Sequence, residues 1–287
     1  MAAEAQAAEH ASHGPTAGEY IQHHLQHLRS HEQANIVDFS VINYDTLFWS
    51  VLMGLLGIWL LRSVARKVTS GVPGRMQAFF EIVLEMVDNQ AKSIIHNAQS
   101  RKFVGPLALT VFIWVFLMNS MDFLPVDFIP RVWEWIFGVT GRDTHHAYMR
   151  VVPTADLSGT LGLSVGVLLT VLYYNVKIKG LGGFVHELFA APFGDKWFLY
   201  PANFLMQMIE FLARTVSHGM RLFGNMYAGE IMFLLIALLA SSGIAGAIGG
   251  GLAQILWIGF DGFIAVLQAY IFMMLTIAYI SMAHEKH

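Results

Sequence analysis

The 287-residue chain contains no cysteine, and only 13% of its residues are charged. Without cysteine, the chain has no disulfide, no thiolate metal ligand and no cysteine nucleophile. Water-soluble domains carry about 25% charged residues. The low charge, together with 55% hydrophobic residues, therefore predicts an integral membrane protein. The net charge is only -3, and no basic run is long enough to indicate nucleic-acid binding.

Residues 1–44 form a polar segment rich in histidine. Its start, residues 1–13, lacks a basic stretch and an apolar core, so it is not expected to be a cleaved signal peptide. His23 and His27 are four residues apart, a spacing that would suit a metal ion on a helix. No carboxylate frames the two histidines, so we favour a solvated amphipathic segment and predict no metal site.

Residues 45–287 are predicted to form a membrane domain. Three apolar runs, residues 46–61, 103–121 and 157–176, have the composition of membrane spans, for which a bilayer requires about 20 helical residues. Residues 76–99 mix apolar and charged side chains at helical spacing. This mixture indicates an amphipathic helix that lies on the membrane or against a partner.

The last third contains two longer apolar runs, residues 201–240 and 252–282, separated by a turn of small residues. A helix of about 40 residues is roughly 60 Å long, twice the roughly 30 Å of the hydrocarbon core. The first run therefore either breaks, at Gly219, Gly224 or Gly229, or is steeply tilted. No strong helix breaker interrupts it, so we predict a tilted helical hairpin.

The predicted fold class is thus an all-α integral membrane protein with about five membrane helices and one interfacial amphipathic helix. With five membrane helices, eleven Lys and Arg residues fall on one side of the membrane and four on the other. Because basic residues concentrate in cytoplasmic segments, we expect the N-terminus outside and the C-terminus in the cytoplasm.

Ionisable residues at bilayer depth are functional-site hypotheses by default. One helical stripe of polar residues has a spacing of three or four and comprises Gln207, Glu210, Arg214, Ser217, Arg221 and Asn225. Glu210 and Arg214 suit an internal ion pair as well as they suit a channel. Arg221 has no carboxylate at pairing distance on its own helix, which favours a functional role. His218 is offset from the stripe and is predicted to be a hydrogen-bonded helix residue.

A resemblance to a known family starts at residues 220–230, MRLFGNMYAGE, which resemble the signature of subunit a of F-type ATP synthases. Residues 106–130, 153–156 and 267–285 resemble the family's other blocks in the same order. The resemblance extends from Asp45 to the C-terminus. It implies a non-catalytic proton-translocating stator subunit without cofactor or metal, in the inner membrane of a bacterium, with protons mildly favoured over Na+.

The resemblance also implies partners and a mechanism. A ring of small hairpin c subunits, each with one membrane-buried carboxylate, would rotate past this chain in the lipid bilayer. Peripheral-stalk b subunits and the rest of the ATP synthase complex would be further partners. Protons would reach the ring carboxylate through one half-channel and leave through another. Arg221 corresponds to the family's essential arginine, a permanent cation that attracts the deprotonated ring carboxylate and separates the half-channels.

Further positions are carried over from the family. Asn225, Glu230 and Gln268 match family positions of the periplasmic half-channel, and Asp122 and Asp127 match its mouth. Asp261 is assigned to the same half-channel, although it does not match the family residue at its position. The cytoplasmic half-channel is expected to comprise Gln207, Glu210, Arg214 and Ser217.

Two positions depart from the family pattern. Asp261 stands where the best-known bacterial members have histidine, seven residues before Gln268. We therefore predict that Glu230 and Asp261 face each other across the hairpin and share a proton, because two close carboxylates cannot both ionise cheaply. Thr215 stands where many relatives have proline, which predicts a smoother helix.

Two other classes of protein compete with this interpretation. A redox-driven pump subunit binding haem or quinone would need histidines that face each other in the membrane, but only His218 lies in a long apolar run. A secondary transporter would be favoured by a duplicated half, and none is apparent. The chain lacks a GxxxxGK[ST] motif, so ATP chemistry is expected in other subunits.

Overall fold

The computed structural model describes residues 18, 27–31, 41–69, 71–124, 128–139, 150–194 and 196–283. The described secondary structure is helical, apart from an isolated antiparallel bridge between Arg29 and Asn43. The α-helices are α1 (Tyr44–Ala65), α2 (Arg75–Ile94), α3 (Ala98–Asn119), α4 (Phe128–Val139), α5 (Leu157–Ala190), α6 (Tyr200–Ala240) and α7 (Ile244–Met282). Short 3-10 helices cover Ser120–Phe123, Pro153–Ala155 and Trp197–Leu199.

Among the described residues, five helices are long and apolar enough to cross a membrane: α1, α3, α5, α6 and α7. The predicted fold class is therefore confirmed. Helix α2 is amphipathic, since it buries Val87 and Ala91 and exposes Glu81 and Glu85. It ends at Ile94, before the predicted Gln99, because Asn97 caps the next helix by accepting a hydrogen bond from the Gln99 backbone N–H at 2.9 Å.

The long hairpin is formed by α6 and α7. Helix α6 has no break at any of its glycines and continues smoothly through Thr215, as the loss of the family's proline predicts. The turn is shorter than predicted, because α7 begins at Ile244 and leaves only residues 241–243 between the helices. Gly243 has a φ of 112°, a conformation that glycine adopts without steric penalty. The steep tilt of the hairpin stays a prediction.

Helix α5 continues well beyond the predicted span, which ended at residue 176. The side chain of Asp156 caps its start and accepts a hydrogen bond from the Ser158 backbone N–H at 3.0 Å. Gly180 has a φ of 74° and marks a kink in the second half of the helix. The part of the helix before this kink packs against α6, where Ser164 donates a hydrogen bond to the backbone carbonyl of Thr215.

The core is formed where α3 and α7 pack together, with α2, α5 and α6 around them. Residues Ala265, Ala269, Met273, Ile277 and Ile280 of α7 are all fully buried, and their spacing of three or four places them on one face of the helix. Because lipid is as apolar as these side chains, close packing and interhelical hydrogen bonds stabilise such a bundle. This packing fixes α6 against α7 at the depth where the ionisable residues lie.

Candidate functional site

Arg221 lies midway along α6 and is exposed, whereas the adjacent Leu222 is buried. Within the described residues, its guanidinium has neither an ion pair nor a hydrogen bond with another side chain. Its backbone carbonyl accepts a hydrogen bond from the side-chain amide of Gln268, with Nε2 at 3.1 Å from the oxygen. The backbone of the arginine is therefore held by α7, while its side chain is exposed.

The remaining stripe residues lie on the same side of α6 as Arg221. Ser217 and Asn225 are exposed, and Gln207 is half-buried. Glu210 and Arg214 form the ion pair expected from their spacing, with side chains 48% and 28% exposed. The Arg214 guanidinium also lies 5.9 Å from the centroid of the Tyr279 ring on α7, within range of a cation–π contact.

Glu230 lies on the other side of α6 and is bound by Arg150, which was not among the predicted site residues. Arg150 Nε lies 3.1 Å from both Oε1 and Oε2 of Glu230, and Nη2 donates a further hydrogen bond to Oε2. The two side chains are only 5% and 9% exposed. Burial by itself lowers the pKa of Arg150, but the charge of Glu230 and the hydrogen bond to it raise this pKa above its ordinary value.

The structure does not contain the predicted proton-sharing pair of Glu230 and Asp261. Both Glu230 oxygens accept hydrogen bonds from Arg150, and neither Asp261 oxygen has a hydrogen-bond partner within the described residues. The physical reason is that a buried carboxylate is stabilised by a cation and destabilised by another carboxylate. Asp261 is 1% exposed and lies inside α7, so it is not a solvated residue at a helix end.

Asp261 instead lies beside Asp122, which belongs to the 3-10 helix that follows α3. A Cβ added to Gly229 would lie 3.0 Å from Oδ2 of Asp122 and 3.2 Å from Oδ1 of Asp261. Glycine at this position therefore lets two buried carboxyl groups approach the backbone of α6 together. In the described part of the chain, neither of these two oxygens has a hydrogen-bond partner. Asp127, the other residue expected at the mouth, lies outside the described residues.

His27, from the described part of the N-terminal segment, also lies at this end of the bundle. His27 Nε2 lies 2.8 Å from Nη1 of Arg150, and His27 Nδ1 lies 3.2 Å from Oδ2 of Asp45. The backbone N–H of Arg150 also donates to Asp45, at 3.3 Å. We name His27, Asp45, Arg150 and Glu230 the outer network. The described residues contain no group of three or more metal-ligating side chains, and His23 lies outside them.

His218 was predicted to be a hydrogen-bonded helix residue, but neither of its ring nitrogens has a partner among the residues described. It is 1% exposed, and its ring stacks on Phe272 with centroids 3.8 Å apart. It lines a small cavity between α5, α6 and α7 together with Ser164, Arg214 and Thr215.

The fold defines a multi-pass membrane protein, and ionisable groups buried within its helices are typical of proteins that translocate ions. A family model described as ATP synthase A chain matches residues 47–281. The chain is 56% identical to ATP synthase subunit a of Paracidovorax citrulli over the whole of both chains. It is 55% identical to that of Acidovorax sp. over 96% of this chain and 99% of the relative. It is 46% identical to that of Colwellia psychrerythraea over 95% and 97%, respectively.

The chain therefore belongs to the ATP synthase A chain family, which confirms the resemblance found in the sequence. This membership supports neither a redox-driven pump nor a secondary transporter.

Proposed function

We propose that the chain is the non-catalytic stator subunit of the proton channel of a rotary F-type ATP synthase. It forms two half-channels that load and unload a carboxylate on a ring of small c subunits, and proton flow through them drives rotation and ATP synthesis. The observation that carries this proposal is Arg221, an exposed cation midway along a membrane helix with no side-chain partner among the described residues.

A guanidinium remains protonated at any physiological pH, and an unpaired charge at bilayer depth is strongly unfavourable. The counter-charge of Arg221 must therefore come from outside the described residues, and a carboxylate on a passing ring subunit would supply it. The same permanent charge would repel a proton that moves directly from one half-channel to the other. Gln268 holds the backbone of Arg221 in place for both roles.

The outer half-channel is assigned to Glu230 of the outer network and to the polar residues between it and the ring-facing side of α6: Asp122, Asn225, Asp261 and Gln268, with Asp127 at its mouth. Asp122, Glu230, Asp261 and Gln268 are buried, whereas Asn225 is exposed one helical turn beyond Arg221. The positions of these residues support a proton path that begins at buried carboxyl groups and ends beside Arg221.

The inner half-channel is assigned to Gln207, Glu210, Arg214 and Ser217, which lie on the other side of Arg221 along α6. The excess of Lys and Arg at this end supports a cytoplasmic position for it and a periplasmic position for the N-terminus. The bacterial relatives support the inner membrane of a bacterium as the location. The peripheral-stalk b subunits and the catalytic subunits would be the other partners, and ATP would bind only to the latter.

The test is Arg221→Ala in the complete complex, with Arg221→Lys as the second variant. Both should assemble with the c ring but lose ATP synthesis and ATP-driven proton pumping. The alanine variant lacks the positive charge, and the ammonium of the lysine variant has a different reach and hydration from a guanidinium. Arg75→Ala, which removes an exposed arginine at the start of α2, is the matched control and should retain both activities. Coupled pumping by an assembled Arg221→Ala complex would refute the proposal.

A further inference from the structure

The guanidinium of Arg150 has two separate sets of hydrogen-bond acceptors. Nε and Nη2 donate to Glu230 of α6, whereas Nη1 lies 2.8 Å from Nε2 of His27. His27 is 123 residues away along the chain and precedes the first membrane helix. A residue outside the membrane helices is thus in direct contact with the cation that binds Glu230.

These contacts determine which tautomer His27 adopts. A guanidinium has only donors, so the ring nitrogen that faces Arg150 must be an acceptor and carry no proton. The other nitrogen lies 3.2 Å from Oδ2 of Asp45, which is an acceptor, so this nitrogen carries the proton and donates it. His27 is therefore neutral in this arrangement, with its proton on Nδ1.

The position of His27 is fixed by Asp45 and by the backbone around both residues. The side chains of His27 and Asp45 are 7% and 0% exposed. Asp45 also accepts hydrogen bonds from the backbone N–H groups of Leu28 and Thr46, at 3.2 and 2.9 Å. The Tyr44 backbone N–H donates to the Leu28 carbonyl at 2.9 Å, which ties the segment to the start of α1.

We propose that His27, supported by Asp45, is a positioning residue of the outer half-channel that holds Arg150 in place when Glu230 takes up a proton. This inference rests on the proposed function of Glu230 in that half-channel. Ionised Glu230 binds the guanidinium through charge and hydrogen bonds, and this attraction is lost when the carboxylate is protonated. His27 then still accepts from Nη1, and Asp45 still supplies a negative charge close to Arg150.

We call the contact of His27 with Arg150 the anchor. With it, Arg150 occupies the same position beside Glu230 whenever Glu230 releases its proton. Without it, the guanidinium would rearrange in each cycle towards its other neighbours. One of these is Asp156, whose negative charge also acts on Arg150. Another is the Tyr227 ring, whose centroid lies 5.7 Å from the guanidinium carbon. Such a rearrangement would slow proton uptake without altering the chemistry of Glu230.

The anchor depends on pH because only neutral His27 can accept a hydrogen bond from Arg150. Protonated His27 would keep its contact with Asp45 but would place an N–H group against Nη1 of the guanidinium, and this contact would be lost. The charged groups around the pair are Asp45 at the start of α1, Asp156 before α5, and Glu230 of α6, with Asp122 and Asp261 deeper in the bundle. Glutamine at position 27 would offer an acceptor and a donor but would not titrate.

The experiment measures ATP synthesis by the complete complex in liposomes whose lumen faces the outer half-channel. The pH of the lumen is varied between about 5.5 and 8, the range in which histidine changes charge, while the proton-motive force is held constant. His27→Ala should lower the rate at the alkaline end by about five-fold, the effect of one lost hydrogen bond. Its rate should approach that of the wild type at the acidic end, because a protonated imidazole offers Arg150 no acceptor.

His27→Gln should retain most of the wild-type rate at the alkaline end and exceed the wild-type rate at the acidic end. His31→Ala, which removes an exposed histidine of the same segment, is the matched control and should follow the wild-type profile. If His27→Ala fails to assemble with the c ring, the comparison of His27→Gln with the wild type across pH decides the question. A His27→Gln complex that assembles but makes ATP about five-fold more slowly than the wild type at the alkaline end would overturn the proposal, because the acceptor would then be present without effect.

Glu230→Gln separates this inference from the proposed function on which it rests. If Glu230→Gln abolishes synthesis and His27→Ala matches the wild type at every pH, the positioning role is wrong and the half-channel stands. If Glu230→Gln synthesises ATP at the wild-type rate, the assignment of Glu230 to the half-channel is itself wrong, and the inference about His27 falls with it.

Discussion

The two ends of α6 each carry an ion pair, and the two pairs differ in almost every physical respect. At the outer end, Glu230 and Arg150 are 9% and 5% exposed and belong to a network that continues to His27. At the inner end, Glu210 and Arg214 are 48% and 28% exposed. Buried charges depend on their partners far more than exposed charges do. Loss of one partner should therefore destabilise the fold much more at the outer pair than at the inner pair.

The two pairs also differ in how they form. Glu210 and Arg214 are four residues apart on one helix, so the helix alone brings them together. Glu230 and Arg150 are separated by 80 residues, and only the packed bundle brings them together. The outer pair therefore depends on correct assembly of the membrane helices, whereas the inner pair is present wherever α6 is helical.

The largest effect is expected from Arg150→Ala, which leaves the buried Glu230 without its cation. Loss of one partner from a buried ion pair destabilises a protein by about 3–5 kcal/mol. We expect much less assembled complex and a lower thermal transition of the remaining complex, measured on the detergent-purified complex. The double variant Arg150→Met with Glu230→Met should recover assembly without recovering proton transport, because both charges are then removed.

The matched control for Arg150→Ala is Arg66→Ala, which removes an exposed arginine at the end of α1 and should leave assembly unchanged. Normal yield and thermal stability of the Arg150→Ala complex would show that the outer network does not stabilise the fold. The contrast between the two ends of α6 would then lose its energetic basis.

The sequence predicts those features of the protein that depend on residues close together along the chain. Hydrophobic runs locate the membrane helices, and the spacing of three or four places Arg221 and Arg214 on one face of α6. The pair of Arg150 with Glu230 depends on tertiary packing, and periodicity carries no signal for it. Arg150 lies three residues before the block at residues 153–156, and this position was the one available hint. The predicted partner of Glu230 was wrong for the same reason. Helical periodicity gives the side of α6 on which the Glu230 side chain lies, but it does not give the charged group nearest to that side chain.

A smaller effect is expected from Gly229→Ala, which tests the close approach of two carboxyl groups to α6. The added Cβ would lie 3.0 and 3.2 Å from oxygens of Asp122 and Asp261, so one or both must move. Such overpacking typically destabilises by about 1–3 kcal/mol. We expect slower ATP-driven proton pumping in inverted vesicles, because these two groups lie in the assigned outer half-channel.

Gly166→Ala on α5 is the control for this substitution, since an added Cβ there meets nothing within 4 Å. It should leave pumping unchanged. Equal pumping by the Gly229→Ala and wild-type complexes would mean that the carboxyl groups tolerate displacement, and the assignment of Asp122 and Asp261 to the path would lose its support.

His218 tests the small cavity between α5, α6 and α7, close to the middle of α6. Neither of its ring nitrogens has a hydrogen-bond partner in the described residues, so replacement by an apolar side chain of similar size should not destabilise the complex. We expect His218→Leu to match or slightly exceed the thermal stability of the wild type, whereas His218→Asn, which keeps buried polar atoms, should be less stable. A marked loss of stability in His218→Leu would show that the imidazole is hydrogen-bonded in the working complex.

The smallest effect is expected for the inner pair, in a double-mutant cycle of Glu210→Ala and Arg214→Ala. Exposed pairs at this helical spacing contribute about 0.3–0.5 kcal/mol, so each single variant should assemble normally and the measured coupling should stay within that range.

Proton flux separates the two roles of these residues. If they line the inner half-channel, flux should fall in both single variants although stability is almost unchanged. Wild-type flux in both would leave them with only their weak ion pair, and the polar residues nearest Arg221 would have to form the inner path. A coupling as large as that of a buried pair would instead show that Glu210 and Arg214 are covered in the assembled complex, and the difference between the two ends of α6 would then disappear.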